Sequence, residues 1–440
     1  MKYKKSNFQC LVRGLECAWV KAVLILAFSH SVFGAGILDQ SFGNGGKVSF
    51  RLGATSDSAR SAVLQADGKI VVAGQTIPSG QSTGLRDFIV ARLNVNGSLD
   101  DTFGSGGLVV TAFGFQNEDI ANSVVVQPNG KIIAAGSSAG VFALARYNPD
   151  GSPDNSFGSG GKVTTSFPGT SGAQILFLFL QADGKILAVG SSSSPVGSTE
   201  GQRQIAVARY TDDGNLDPAF GDNGRLKIFF GSIITGIDGA AMQPDGKLLI
   251  SGRYAFIRPN CTPTKTNDCS DGVEFLVRYN QNMSLDKKFG RRFGKEFSRD
   301  KFYGLSLQSD GGILVGGFPI IRRYSVNGRL EATFDRAVFP NQPPDQFTLN
   351  GPSRLKQRSN GTIIGCQKLR AVGHDDIGVV LFDAASRAIA YDQRDFFGAN
   401  DICSDTLIQS DQKIIIIGSA QLEAQGNYSI AVMRYLDITP

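Results

Sequence analysis

Residues 64–74 read LQADGKIVVAG. The Asp-Gly pair suits the positive φ angles of a tight type I′ turn, and apolar, β-branched residues flank it, so the stretch predicts a β-hairpin with strands near 60–66 and 69–74. Six further stretches lie over it: VQPNGKIIAAG (126–136), LQADGKILAVG (180–190), MQPDGKLLISG (242–252), LQSDGGILVGG (307–317), QRSNGTIIGCQ (357–367) and IQSDQKIIIIG (408–418). Their starts are 62, 54, 62, 65, 50 and 51 residues apart, a period that marks a solenoid, a propeller or an array of small units. The seventh copy has Asp411-Gln412 in place of Asp-Gly, which is expected to strain the turn or force a different one.

A second strand-like element follows each hairpin and runs into a turn: FIVARLNVNG (88–97), FALARYNPDG (142–151), IAVARYTDDG (205–214), EFLVRYNQNM (274–283), PIIRRYSVNG (319–328), IGVVLFDAAS (377–386) and IAVMRYLDIT (430–439). A connector comes next in five copies, LDDTFGSGG (99–107), SPDNSFGSGG (152–161), LDPAFGDNG (216–224), LDKKFG (285–290) and LEATFD (330–335), leading into a short strand such as GKVTTSF (161–167). Four strands per repeat without helical periodicity make one antiparallel sheet per repeat. A row of such sheets leaves exposed edges unless it closes into a ring. The expected fold is therefore all-β, a seven-bladed β-propeller of four-stranded antiparallel blades. The chain opens with a connector that has no preceding strand, LDQSFGNGGKVSF (38–50), and ends just after IAVMRY. Contact between the N- and C-terminal segments would complete the seventh set.

An arginine stands in phase with apolar residues on what counts as the fourth strand of the repeat, with a carboxylate eight residues later: Arg92 and Asp100, Arg146 and Asp154, Arg209 and Asp217, Arg278 and Asp286, Arg323 and Glu331. An arginine so placed should be largely buried and needs a counter-charge. The sixth repeat loses both partners (Leu381, Ile389), and the seventh has Arg434, whose counterpart across the closure is Asp39. Joint retention and joint loss predict a structural ion pair at each blade junction.

Taken together, Q-x-D-G-K-I followed by R-Y-n-x-D-G-x-L-D-x-x-F-G resembles the delta-60 repeat of bacterial secreted and surface proteins, a β-propeller-type repeat, over nearly all of residues 38–436. The lysine is missing from the fifth copy (Gly312) and the sixth (Thr362), and the sixth connector is degenerate. The resemblance implies export and a propeller, and brings no activity or ligand with it.

Residues 1–35 read as a signal peptide: a basic start (Lys2, Lys4, Lys5, Arg13, Lys21), an apolar run at 22–28, and small residues near a cleavage point. The run is far shorter than the ~20 residues of a membrane span, and no later segment looks transmembrane. The propeller would then occupy 36–440. The leader holds five of the 44 basic residues and one of the 39 acidic ones, leaving 39 against 38; a nearly neutral chain offers nothing to nucleic acid. Of six cysteines, four lie beyond the leader, an even number suited to an oxidising compartment. Cys261 and Cys269 bracket a short polar loop and are expected to be bridged; Cys366 and Cys403 are either a second bridge or two buried thiols.

The turns and connectors share one regular face. The other carries variable loops, the longest at 75–87, 191–204 and 253–274, and loops on a rigid ring are where binding is commonly placed. The region around 253–274 is the expected contact surface. Catalytic signals are thin. His374, in GHDD (373–376), is the only histidine beyond the leader, and no nucleophile, P-loop, HExxH or dinucleotide motif accompanies it. Asp268 and Asp271 fall outside EF-hand spacing. No catalytic residue, metal or cofactor is assigned. The favoured function is an exported, monomeric, non-enzymatic propeller serving as a binding or protein-interaction scaffold for a protein or glycan, located in the periplasm, at the cell surface or outside the cell. This reading expects no compact acidic cluster in the central channel. The alternative, a secreted hydrolase or lyase, expects loop carboxylates that converge with raised pKa values. A self-assembling surface protein would instead expose an apolar patch or an unpaired strand edge.

Overall fold

The computed structural model describes residues 36–52, 56–78, 85–114, 117–195, 203–229, 233–257, 270–290, 292–293, 301–318, 321–334, 355–370, 374–382, 388–422 and 427–438. Residues 1–35, expected to be a signal peptide, and the Cys261–Cys269 loop, with Asp268, lie outside these residues.

Two short strands open the described chain, β1 (Ile37–Leu38) and β2 (Lys47–Phe50). Blade 1 is β3 (Asp57–Leu64), β4 (Ile70–Thr76), β5 (Asp87–Leu93) and β6 (Leu108–Thr111); blade 2 is β7 (Asp119–Val126), β8 (Ile132–Ser138), β9 (Val141–Tyr147) and β10 (Lys162–Thr165). Blade 3 is β11 (Gly172–Leu180), β12 (Ile186–Ser193), β13 (Arg203–Tyr210) and β14 (Arg225–Ile228); blade 4 is β15 (Ile233–Met242), β16 (Leu248–Ile257), β17 (Ser270–Tyr279) and β18 (Arg292–Phe293). Blade 5 is β19 (Lys301–Leu307), β20 (Ile313–Phe318), β21 (Ile321–Tyr324) and β22 (Leu330–Phe334); blade 6 is β23 (Lys356–Gln357), β24 (Ile363–Arg370), β25 (Asp375–Phe382) and β26 (Ala388–Arg394). Blade 7 takes β27 (Asp401–Ile408), β28 (Ile414–Gln421) and β29 (Tyr428–Asp437) from the C-terminal end, and its fourth strand is β2.

The pairing of β2 with β29 runs from Lys47 opposite Met433 to Phe50 opposite Ile430. Each blade packs on the next, and blade 7 packs on β3 of blade 1. The protein is a seven-bladed β-propeller closed by its terminal segments, as its repeat pattern predicts. The apolar clusters lie between sheets: one joins Val71, Val90 and Phe103 of blade 1 to Val124, Ile132 and Tyr147 of blade 2. This explains the unbroken apolar runs. Every residue of β4 and of β5 is buried, because a middle strand meets a neighbouring blade on both faces and has no solvent side to alternate with.

Three local expectations need correction. The first hairpin pairs Asp57–Leu64 with Ile70–Thr76, not 60–66 with 69–74. Its turn is type I closed by a left-handed glycine, not type I′. Ala66 and Asp67 keep negative φ, Gly68 has φ 82°, and the Gly68 N–H donates to the Gln65 carbonyl at 3.0 Å. Asp67 earns its place through its side chain, which accepts the Lys69 N–H at 3.1 Å. The seventh turn, expected to be strained or of another type, keeps this geometry and carries the strain. Gln412 takes φ 68° where glycine would sit, and its N–H donates to the Gln409 carbonyl at 2.9 Å. The repeated arginine lies on the third strand of each blade, not the fourth, because the short strand after the connector closes the same sheet.

Candidate functional site

On the turn face the repeated charges form a clamp between blades. Arg146, on β9, is 2% exposed. Its Nε donates to Asp154 Oδ2 at 2.6 Å, its Nη2 to Ser156 Oγ at 3.2 Å, and its guanidinium carbon lies 4.5 Å from the centre of the Phe157 ring. Its Nη1 crosses to blade 3 and donates to the main-chain oxygen of Asp212. Beside it, the Gly158 N–H donates to the Asp213 carbonyl at 2.9 Å. A Cβ on Gly214 would stand 2.8 Å from the Phe157 ring, so this glycine supplies both a positive φ and room for the docked ring.

The other pairs repeat the arrangement. Arg92 meets Asp100 at 2.6 Å, Arg209 meets Asp217 at 2.7 Å, Arg278 meets Asp286 at 2.8 Å, and Arg434 meets Asp39 across the closure at 2.9 Å. Nη1 of Arg92, Arg278 and Arg434 donates to the carbonyls of Pro149, Val326 and Val95 in the next blade. Arg323 pairs with Glu331 and Asp310, but its side chain is 24% exposed, so it departs from the expected burial. In blade 6, where Leu381 replaces the arginine, the cation moves to the hairpin turn: Arg358 meets Asp437 at 2.6 Å. The hairpin lysines supply a second cation to the connector carboxylates, Lys69 to Asp100 at 2.9 Å, Lys131 to Asp154 at 2.8 Å and Lys413 to Asp39 at 3.3 Å. Burial alone would raise the Asp39 carboxyl; hydrogen bonds from Ser41 and the charges of Arg434 and Lys413 outweigh it and bring it down to about 2.

A cavity of about 1180 Å³ opens among the turns of the first four blades, bordered by Asp67, Asp183 and Asp245. These acids are matched locally: Asp183 meets Lys185 at 3.1 Å and Asp245 meets Lys247 at 2.9 Å. They do not form an uncompensated acidic centre.

The variable face differs. At the junction of blades 6 and 7, His374 and Asp376 at the start of β25 meet Asp395, just past β26, and Asp401, the first residue of β27. One donor atom each from His374, Asp376 and Asp395 lie within 4.8 Å of one another. His374 Nε2 is 3.0 Å from Asp376 Oδ1, and Gln393 Nε2 donates to Asp376 Oδ2 at 2.6 Å. Asp401 is fully buried and accepts the Phe396 N–H at 3.0 Å. Burial first, and then the Asp395 and Asp376 charges, push its carboxyl up to about 7 against the opposing Phe396 and Gln421 N–H groups. Converging loop carboxylates with a raised pKa, expected of the hydrolase or lyase alternative, thus occur in this junction. Sequence reasoning singled out His374 and its GHDD context, but not Asp395 or Asp401, which lie 21 and 27 positions on. The available signal was the degenerate sixth connector, where the repeat pattern gives way to YDQRDFFGAND (391–401).

The cysteines at this junction are joined: Cys366 of β24 and Cys403 of β27 form a disulfide with Cα atoms 6.0 Å apart, linking blades 6 and 7. Of the variable loops, 79–84, 196–202 and 258–269 lie outside the described residues, as does the Asp271 side chain. The surface expected around 253–274 therefore falls largely outside them.

Three segments, 65–103, 127–157 and 181–220, match the family model described as domain of unknown function (DUF5122) beta-propeller. No curated protein matches the chain. Among solved structures, a catalytically inactive virginiamycin B lyase from Staphylococcus aureus with quinupristin is 10% identical, with TM-score 0.49, covering 88% of this chain and 98% of that one. An ulvan lyase of polysaccharide lyase family PL25, bound to -[GlcA(1-4)Rha3S]-, is 10% identical, with TM-score 0.48, covering 92% and 94%. YCF48 bound to D1 peptide is 12% identical, with TM-score 0.46, covering 90% and 97%. The fold stands on the chain's own strand pairing, and the matched segments are three of its hairpin-and-connector units. The protein is a seven-bladed β-propeller, and three of its seven repeats match a β-propeller family model.

Proposed function

We propose that the protein is an exported, non-enzymatic propeller that binds a protein or glycan ligand through its variable-loop face. The observation carrying this reading is the use of charge on the opposite face. The repeated arginines, aspartates and lysines there are paired with one another, the arginines reaching on to carbonyls of the next blade, while polar groups that break the repeat gather among the variable loops. The basic, apolar leader at 1–35, the resemblance to the delta-60 repeat of secreted and surface proteins, and the Cys366–Cys403 disulfide support export to an oxidising compartment. The test is a glycan and protein array probed with the secreted chain, followed by incubation of each hit with the protein and analysis for products. Expected are a specific hit, its loss on substitution in loop 191–204 or at the blade 6–7 junction, and no turnover. Product formation would replace this reading with the hydrolase or lyase alternative. A hit that responds only to turn-face substitutions would overturn the choice of face.

A further inference from the structure

The junctions between blades 1 and 2 and between blades 6 and 7 are built alike. Each has an aspartate near the start of the third strand (Asp87, Asp376) and a buried aspartate opening the next blade (Asp119, Asp401). Each also has a lysine from the next blade's outer strand donating to a carbonyl of the crossover: Lys162 to Ala112 at 2.6 Å, and Lys47 to Asp395 at 2.7 Å. Two side chains differ. Where the first junction has Leu85, two residues before Asp87, the second has His374, two before Asp376; where the first has Ala112, the second has Asp395.

Of the two added groups, His374 sits over a carboxylate oxygen that has no hydrogen-bond partner, and Asp395 brings a carboxylate oxygen to the same place. Asp376 Oδ1 is buried without a hydrogen-bond partner, in a side chain 7% exposed, and faces His374 Nε2 at 3.0 Å. Asp401 Oδ1 is buried without a partner as well. The nearby cations are directed elsewhere, Lys47 to the Asp395 carbonyl and Arg394 to Asp392 at 2.6 Å. We propose that the blade 6–7 junction binds one divalent transition-metal ion through His374 Nε2, Asp376 Oδ1 and a carboxylate oxygen of Asp395. An imidazole with two carboxylates suits zinc or manganese better than calcium or magnesium, which take oxygen ligands. Ligands each about 2.0–2.2 Å from zinc lie within roughly 4.4 Å of one another, so donors already within 4.8 Å need only small side-chain shifts. Three protein ligands leave coordination positions open to water or to an oxygen of a bound ligand. The inference is independent of the ligand-binding reading above.

The test is calorimetric titration of the chelator-treated, oxidised full chain with zinc chloride, with calcium and magnesium chloride titrated separately. One zinc per chain is expected, with Kd in the micromolar range or tighter and at least tenfold preference over calcium. His374→Ala and Asp395→Asn should each weaken it at least tenfold. Both positions are accessible, Asp395 being exposed, and the metal-free melting temperature of each variant checks that the fold persists. Wild-type zinc binding weaker than millimolar would overturn the site. So would zinc binding unchanged in both variants, which would locate the metal elsewhere, for instance at leader thiols; a preference for calcium would overturn the metal class.

Discussion

Replacing Arg146 by methionine keeps the aliphatic stem and removes the guanidinium. Asp154, 5% exposed, then loses its 2.6 Å partner, the Asp212 carbonyl of blade 3 loses a donor, and the Phe157 ring loses the cation above it. Breaking a buried pair by removing one member costs about 3–5 kcal/mol, and a desolvated cation–π contact adds about 1 kcal/mol. Lys131, 2.8 Å from Asp154, and the Ser156 hydroxyl, 2.7 Å away, still satisfy the carboxylate, which places the net loss near 3 kcal/mol. With an unfolding entropy of about 2.1 cal/mol/K per residue over roughly 400 residues, thermal melting followed by circular dichroism should fall by about 3–4 °C. Arg86→Met provides the contrast. Its pair with Glu118 is exposed, 39% and 47% by side chain, so it should cost about 0–1 kcal/mol, or roughly 1 °C or less. A double-mutant cycle of Arg146→Met with Asp154→Asn should show a coupling of about 1–3 kcal/mol. If Arg146→Met melts with the wild type, or no lower than Arg86→Met, the clamp is not what joins the blades.

Gln412→Gly should raise the melting temperature, because a left-handed non-glycine residue costs about 1–2 kcal/mol. The exposed bonds lost, from Ser359 N at 3.1 Å and Oγ at 2.9 Å to Gln412 Oε1, are worth less; a lower melting temperature would show that they dominate. Converting Cys366 and Cys403 to alanine opens a crosslink spanning 37 residues and should cost about 2–4 kcal/mol on the loop-entropy account, seen as a lower denaturant midpoint; an unchanged midpoint would argue against that account. The Asp39 carboxyl is held down at about 2 in the folded protein, below the usual aspartate value of about 3.9. The unfolded chain therefore binds the proton more readily, and the stability from this group, fully present above about pH 4, is lost as pH falls toward 2. Asp39→Asn should be less stable than wild type at pH 6 and approach it at pH 2, by urea midpoints at the two pH values; a difference that stays constant would remove Asp39 from the closure.

The hairpins and the ring were legible in the sequence because their causes are local and repeated. In six of the seven repeats an Asp-Gly or Asn-Gly step between apolar runs makes the hairpin, and small sheets in series must close to hide their edges. The Arg434–Asp39 closure could be read by carrying the repeat's own offset around the ring. What the turn motif left ambiguous was its type: Asp-Gly serves type I′ and the glycine-closed type I alike, and the choice depends on how the flanking strands twist within a packed blade. The strand carrying the arginine was misnumbered because sheet membership is decided by pairing, not by order among apolar segments. The ring under each arginine stands at a constant offset in the connector, Phe157 from Arg146 as Phe103 from Arg92 and Phe220 from Arg209, whereas the carbonyl beyond it comes from the next blade at no fixed offset, 57 residues on for Arg92 and 66 for Arg146. The replacement of the sixth clamp by Arg358 and Asp437, 79 residues apart, has no periodic signal at all. By itself the sequence determined the repeat unit, the number of blades and the charges that join them, since each follows from patterns within about sixty residues. Only the tertiary structure decided which non-repeating groups meet: His374, Asp376, Asp395 and Asp401 come from two blades and a crossover, and it is the packing of one sheet on the next that brings their carboxylates and imidazole into one another's field.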